Sequence, residues 1–208
     1  LFPPPLERAF DLSPTMVDID GRLLRAGTSP TGYWRMPTEL GDVDGHYVQA
    51  LLAFEDRRFF RHDGVDYKGM VRAVVSSLKA RQLVSGGSTL PMQTARLLEP
   101  RPKRNVGAKV MEILRAWQLE RRYSKEEILD LYLTTAPFGG NIEGAGAAAW
   151  RYFGKKPADL TWAESALMVA LPQSPVRRRP DRHADRAETA RNRVLDVLVG
   201  RGLITEDQ

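Results

Sequence analysis

The sequence predicts a mainly α-helical protein with a small β appendage at its N-terminus. Three observations predict this class. From His46 onward, apolar residues recur at the three- and four-residue spacing of one helix face. Two capping boxes, Ser124-Lys-Glu-Glu127 and Thr161-Trp-Ala-Glu164, open helices within that region. Ahead of it, Met16 to Arg25 alternates apolar and polar residues about an Asp20-Gly21 turn, the pattern of a hairpin. Tyr33-Trp-Arg-Met36 is a second extended piece, ended by Pro37. The chain thus divides into an extended or β-hairpin segment, 1–45, and a helical domain, 46–208.

At 208 residues the chain has ample material for one large core. It contains 31 Lys and Arg against 26 Asp and Glu, a net charge of +5. Such an excess favours an anionic partner: nucleic acid, phospholipid headgroups or a phosphorylated substrate, with a solvated basic face as the plain alternative. Nucleic acid is the weakest of these, because no helix-turn-helix, zinc-finger or RNP pattern accompanies the charge. The absence of cysteine excludes disulfides, thiolate metal sites and a Cys nucleophile. The longest stretch without a charged residue, Gln82 to Ala95, is rich in Gly, Ser and Thr, and a membrane span needs about 20 predominantly apolar residues. LFPPPLERAF lacks the basic head and apolar stretch of a signal peptide, and a proline-rich start with an ending in mid-pattern, ITEDQ, predicts a segment of something longer.

The first helix carries Tyr47, Val48, Ala50, Leu51 and Phe54 on its apolar side and runs into EDRRFFRHDG, residues 55–64, where Gly64 is expected to stop it. On such a helix Glu55, Phe59 and His62 share a face, and Asp56 is rotated from Glu55 by roughly 100°. A carboxylate at a helix end, walled by aromatics and beside an imidazole, has the setting of a general base or acid. A solvated acidic pair opposite Arg57, Arg58 and Arg61 fits the same residues. Tyr67 to Arg81 reads as a helix with Met70, Val71, Val74, Val75 and Leu78 on its apolar side.

Ser85-Gly-Gly-Ser-Thr-Leu-Pro-Met-Gln93 follows, a loop that can approach a ligand closely, with Pro91 suited to the first turn of the next helix. It can cradle phosphate oxygens or sugar hydroxyls, or be only a turn, and it lacks the Gly-Lys-Ser/Thr ending of a Walker loop. Arg96, Arg101, Lys103, Arg104 and Lys109 have only Glu99 among them, which makes an anion site or a solvated run. Asn105 to Arg122 is a long helix with Val106, Val110, Ile113, Leu114 and Trp117 on one stripe and Lys109 beside Glu112 on another. Ser124 then caps a helix over Ile128 to Leu133, broken by Ala136-Pro-Phe-Gly-Gly140. Ile142 to Phe153 is a small-residue helix, and the helix after Thr161 ends at Pro172. Gln173 to Arg186 is a basic loop, and Ala187 to Val199 a last helix ended by Gly200.

In this order the pieces resemble the peptidoglycan glycosyltransferase domain, family 51, of class A penicillin-binding proteins, and most nearly the penicillin-binding protein 1C group. The resemblance rests on Glu55-Asp56 with Phe59, His62 and Gly64; on Gly86-Gly-Ser-Thr-Leu90 with Gln93; on Lys109 with Glu112; on Glu120-Arg-Arg-Tyr-Ser-Lys-Glu-Glu-Ile-Leu-Asp-Leu-Tyr-Leu133; and on the turns Ala136 to Gly140 and Leu171-Pro-Gln-Ser-Pro175. It covers roughly residues 45 to 200. It implies a lysozyme-like, two-lobed helical fold with a groove for two glycan chains. The implied reaction polymerises lipid II: the GlcNAc 4-hydroxyl of lipid II attacks the anomeric carbon of a growing chain on undecaprenyl pyrophosphate, with inversion.

Within that resemblance Glu55 is the general base, and Glu112 a second acidic position that places the pyrophosphate, a cation or the acceptor. Arg96, Arg104 and Lys109 are the donor-phosphate residues. Asp56, Phe59, His62, Gly87, Ser88, Thr89 and Gln93 complete the implied substrate-binding set. No cofactor is required, although Asp56, Glu112 and the pyrophosphate are candidates to share Mg²⁺ or Mn²⁺; no hard-cation motif is present. The implied context is the outer face of the cytoplasmic membrane, with an N-terminal anchor before Leu1, a transpeptidase domain after Gln208, and a lipid surface touched by residues around Val71 to Leu83.

Three positions depart from the family pattern. Ala108 stands where Arg is usual before Lys109, Pro91 where Thr is common, and Thr134 where Asn usually follows the Tyr-Leu pair. Two other readings fit the same fold: a peptidoglycan-cleaving glycosidase or lytic transglycosylase, and a non-catalytic lipid II-binding module. Cleavage leaves the cationic cluster unexplained, since its leaving group is a sugar.

Overall fold

A computed structural model of the chain describes residues 4–20, 22–71, 87–101 and 105–205. Most of the helix expected from Tyr67 to Arg81, and most of the proposed lipid-facing stretch, lie outside the described residues, as do Gly86 and Arg104; residues 67–71 are helical.

The N-terminal segment carries a short helix, α1 (Glu7–Phe10), and the expected hairpin. Strands β1 (Thr15–Val17) and β2 (Leu23–Ala26) pair antiparallel with Met16 opposite Arg25. The Asp18 carboxylate accepts from the backbone N–H groups of Asp20 and Arg22, at 2.9 and 2.7 Å, and so closes the turn. The second extended piece is tied to the helical body. Strand β3 (Trp34–Arg35) lies parallel to β5 (Ile142–Glu143), which pairs antiparallel with β4 (Pro137–Gly139), in the order β3-β5-β4. Arg35, fully buried, donates to Glu143 at 3.0 Å and to the backbone carbonyls of Arg8 and Asp11, each at 2.7 Å.

The body is helical. Helix α2 (Gly45–Glu55) packs against α7 (Trp162–Ala170) and α8 (Ala184–Val199). Helix α3 (Leu90–Leu98) packs against α4 (Val106–Glu120) and α5 (Lys125–Thr135). Helix α6 (Ala145–Phe153) buries Ala145 and the run Ala147 to Ala149, small side chains that allow close approach. Tyr47, Leu51, Phe59, Leu90, Leu119, Ile128, Tyr132, Phe138, Met168 and Val194 belong to one continuous core. A smaller cluster joins Val65, Met92 and Ala116 under Met70 and Ile113.

Both capping boxes form, Ser124 with Glu127 and Thr161 with Glu164. Helix α2 ends at Glu55 rather than running on toward Gly64, because Asp56 leaves helical geometry (φ −153°, ψ 74°). A separate 3₁₀ turn, Phe59–Arg61, follows, so Glu55, Phe59 and His62 do not share a helix face. Gly64 instead adopts φ +83° against α4, where a Cβ would lie 3.0 Å from the Ala116 backbone. Ile142 and Glu143 form β5 rather than the start of a helix, because Gly144 at φ +87° separates them from α6. The last helix starts at Ala184, three residues earlier than expected. The apolar stripe of α4 is only partly covered: Val106 and Val110 are exposed, while Ala116 and Leu119 are its buried residues. Thr134 is buried and exchanges hydrogen bonds with the backbone of Thr38, at 3.1 and 3.2 Å, so this departure ties the N-terminal segment to α5.

Candidate active site

The end of α2 delivers Glu55 into a cleft of about 650 Å³. Leu51 and Tyr47, one and two turns back, anchor that helix in the core. From the first turn of α3, Gln93 Nε2 donates to Glu55 Oε2 at 2.9 Å. From the turn after α7, Gln173 Nε2 donates to Glu55 Oε1 at 2.7 Å. Each carboxylate oxygen thus accepts one amide N–H and keeps lone-pair capacity for an incoming hydroxyl. Behind the carboxylate lie two buried phenols, Tyr47 and Tyr132. Burial raises the pKa of both, with the Glu55 charge pushing in the same direction, so both hydroxyls stay protonated.

Asp56, the neighbouring carboxylate, turns the other way. It is buried, its oxygens each lie 3.0 Å from His62 Nε2, and Oδ2 accepts from the Leu90 backbone N–H at 2.9 Å. The imidazole therefore partners Asp56 rather than Glu55. Phe59 is buried in the core, and His62 borders a separate recess of about 700 Å³ with Arg58, Tyr67 and Trp117. Thr89 accepts from Met92 N–H at the start of α3 and donates to the Gly64 carbonyl. Asp56, Phe59, His62 and Thr89 therefore hold together the elements that present Glu55 and Gln93. Gly87 is half-buried on the approach to α3.

The residues brought together in the cleft are Glu55, Ser88, Gln93, Arg96, Lys109 and Glu112. Lys109 Nζ donates to Ser88 Oγ at 2.7 Å and to Glu112 Oε2 at 3.0 Å, and Arg96 lies 3.9 Å from Glu112. Ala108, which stands where the family pattern has arginine, also lines the cleft. The cleft is also lined by three arginines that the sequence did not single out: Arg178 from the loop after α7, Arg193 from α8 and Arg201 just beyond it. Burial and the neighbouring Arg193 lower the pKa of Arg178, while Glu55 raises it; burial and Arg57 lower that of Arg201. Among the described residues five cations and two carboxylates therefore face this space. Gln173 was visible in the sequence only as part of the Leu171 to Pro175 turn, and Arg193 only as a residue of the last helix.

Asp56 and Glu112 do not fit a shared divalent cation, because the Asp56 oxygens are turned to His62 and Leu90 behind the cleft. Among the described residues no group of three His, Cys, Asp or Glu is arranged to hold a metal.

Residues 21–199 match the family model described as Transglycosylase. The chain is 45% identical over its whole length to penicillin-binding protein 1C of Escherichia coli (strain K12), of which it spans 27%. It is 38% identical, over 93% of its length, to penicillin-binding protein 4 of Bacillus subtilis (strain 168), spanning 31% of that protein. The crystal structure of penicillin-binding protein 1A from Haemophilus influenzae shares its fold, with a TM-score of 0.51 at 24% identity over 94% of this chain and 20% of the other.

Proposed function

The chain belongs to the transglycosylase family, and from that premise we propose that it polymerises lipid II into glycan strands. The observation that carries the proposal is one carboxylate, Glu55, held by two amides in a cleft lined by cations. A transfer from a diphosphate carrier needs both features. The base takes the proton of the attacking 4-hydroxyl as the new bond to the anomeric carbon forms. The cations meet the negative charge that develops as the bond to the pyrophosphate breaks. A single displacement of this kind inverts the anomeric centre.

Arg96 and Lys109, with the Ser88 hydroxyl, serve the leaving pyrophosphate of the donor. Arg178, Arg193 and Arg201 serve the diphosphate that the acceptor itself carries. Glu112 holds Lys109 and Arg96 in register and leaves the proton transfer to Glu55. The chain spans about a quarter of the length of the E. coli relative. A membrane anchor, a transpeptidase domain and a place on the outer face of the cytoplasmic membrane belong to this proposal. Among the described residues no helix is long and apolar enough to cross a membrane.

Lipid II polymerisation in detergent, with wild type beside Glu55→Gln and product size followed on a gel, tests the reading. Polymer from wild type and none from the variant, with lipid II binding retained, is the expected result. Digestion of lipid-free polymeric peptidoglycan would show a glycanase instead. Binding without turnover by either protein would show a binding module.

A further inference from the structure

We infer that Gln173, oriented by Arg178, is a positioning residue that fixes the carboxylate of Glu55 for proton abstraction; this rests on the reading of Glu55 as the base. A glutamine amide has two unlike ends, and which end faces Glu55 depends on what the other end meets. Here Arg178 Nη1 donates to Gln173 Oε1 at 3.1 Å. The amide oxygen is thereby committed to the guanidinium, and the NH₂ group is left to face Glu55 Oε1 at 2.7 Å. A flipped amide would set oxygen against carboxylate and NH₂ against guanidinium, so both contacts would become repulsive.

The backbone makes this arrangement local and firm. Leu171–Gln173 is a 3₁₀ turn anchored by the buried Leu171. The Ser174 carbonyl accepts from the N–H groups of Arg177 and Arg178, at 3.1 and 3.0 Å, which folds the chain back. Arg178 Nη1 also donates to the Ala170 carbonyl at 2.7 Å, so the guanidinium is held by the end of α7 as well as by the amide it orients. Glu55 is the last residue of its helix, and the amides that hold its carboxylate come from outside that helix. With Gln93 on one oxygen and Gln173 on the other, the carboxylate is fixed at both ends before substrate arrives, which is the preorganisation a general base requires.

The test measures the initial rate of lipid II consumption against lipid II concentration for wild type, Glu55→Gln, Gln173→Met, Gln173→Asn, Arg178→Met and the double variant Gln173→Met/Arg178→Met. Loss of one hydrogen bond to a charged group predicts about a tenfold fall in kcat for either Gln173 variant, with KM changed less than about twofold. The Asn side chain, one methylene short, carries the test if the Met variant folds poorly. Arg178→Met should lower kcat by a similar factor in wild type and by less than about twofold in the Gln173→Met background, because it acts through Gln173. Its KM effect persists in both backgrounds, since Arg178 also faces the cleft. The inference is overturned if the Gln173 variants keep wild-type kcat, if their loss lies wholly in KM, or if the kcat losses of the two residues multiply. An active wild type with a dead Glu55→Gln beside unaffected Gln173 variants removes this inference alone. An inactive wild type, or an active Glu55→Gln, removes the base and this inference with it.

Discussion

His62 Nε2 lies 3.0 Å from both carboxylate oxygens of Asp56, and the pair is buried behind the cleft. Asp56 also accepts from the Leu90 N–H, so one side chain joins the end of α2 to the start of α3. The two adjacent carboxylates therefore divide the labour: Glu55 faces the cleft and Asp56 ties together the elements that bear Glu55 and Gln93. Asp56→Ala would leave a backbone N–H and an imidazole buried without their partner. The expected cost is about 3 kcal/mol, or a melting temperature lower by about 6–12 °C. Glu55→Gln is expected to melt within about 1 °C of wild type while losing polymerisation. Thermal unfolding of the two variants, side by side, checks the division; equal stability would refute it.

Among the described residues, five cations against two carboxylates make the cleft a focus of positive potential, Arg193 and Arg201 among them. Attraction of a diphosphate to such a surface is screened by salt, since the Debye length falls from about 10 Å at 0.1 M to about 3 Å at 1 M. The KM for lipid II is expected to rise several-fold between about 0.05 and 0.5 M NaCl, with kcat changing little. In Arg193→Ala/Arg201→Ala the starting KM should be higher and the salt dependence shallower. Steady-state rates across a salt series measure both, and a parallel slope in the double variant would remove these arginines from substrate binding.

Legibility of the chain from its sequence followed the range of the forces involved. Local signals survived intact: the Asp20 turn, the capping boxes at Ser124 and Thr161, and the α2 pattern that brings Glu55 to a helix end. What depended on contacts distant in sequence was not legible. Nothing in residues 55–64 states that Asp56 will abandon the helix to cap another one 34 residues on, which is what separates Glu55 from His62. Gln173 lies 118 residues from Glu55, and nothing local to Arg193, on α8, or to Arg201, just beyond it, marks either as lining the cleft. The same limit applies to Arg35, a charged residue in a two-residue strand, which gives no local sign of being fully buried.

That arginine makes a sharp prediction. Arg35 and Glu143 are opposite each other in the β3-β5 register, with Arg8 closing on the other carboxylate oxygen and Asp11 on the guanidinium. Removing one member of a buried, hydrogen-bonded ion pair leaves the other charge stranded, at a cost of about 3–5 kcal/mol. Glu143→Ala should therefore lower the melting temperature by roughly 6–20 °C. Glu143→Gln, which keeps an acceptor for Arg35, should fall in between. If Glu143→Ala unfolds at the wild-type temperature, the N-terminal segment is not fastened through this pair.

Two surface carboxylates are predicted to respond oppositely to acid. The Arg179 guanidinium grips Asp181 at both oxygens, 3.0 and 2.6 Å, and holds its pKa below the usual carboxylate range. A lowered folded-state pKa contributes stability that is fully present above the unfolded value of about 3.9 and is lost as pH falls through the folded value. Asp130 is raised instead, first by burial and then by Asp42, Glu127 and Glu126, against the opposing hydrogen bond from Leu40 N–H. Its ionised form opposes folding above its raised pKa, and acid relieves that opposition. Asp181→Asn should thus lower the melting temperature at pH 7 by about 1–2 °C, with the difference shrinking as pH falls below the unfolded value of about 3.9. Asp130→Asn keeps an oxygen for Leu40 while removing the repulsion, so it should raise the melting temperature at pH 7 by a similar amount, the gain disappearing as pH falls through the carboxylate range. Melting curves of both variants between pH 3 and 7 decide the matter, and a loss of stability in Asp130→Asn at pH 7 would show that its charge is used rather than tolerated.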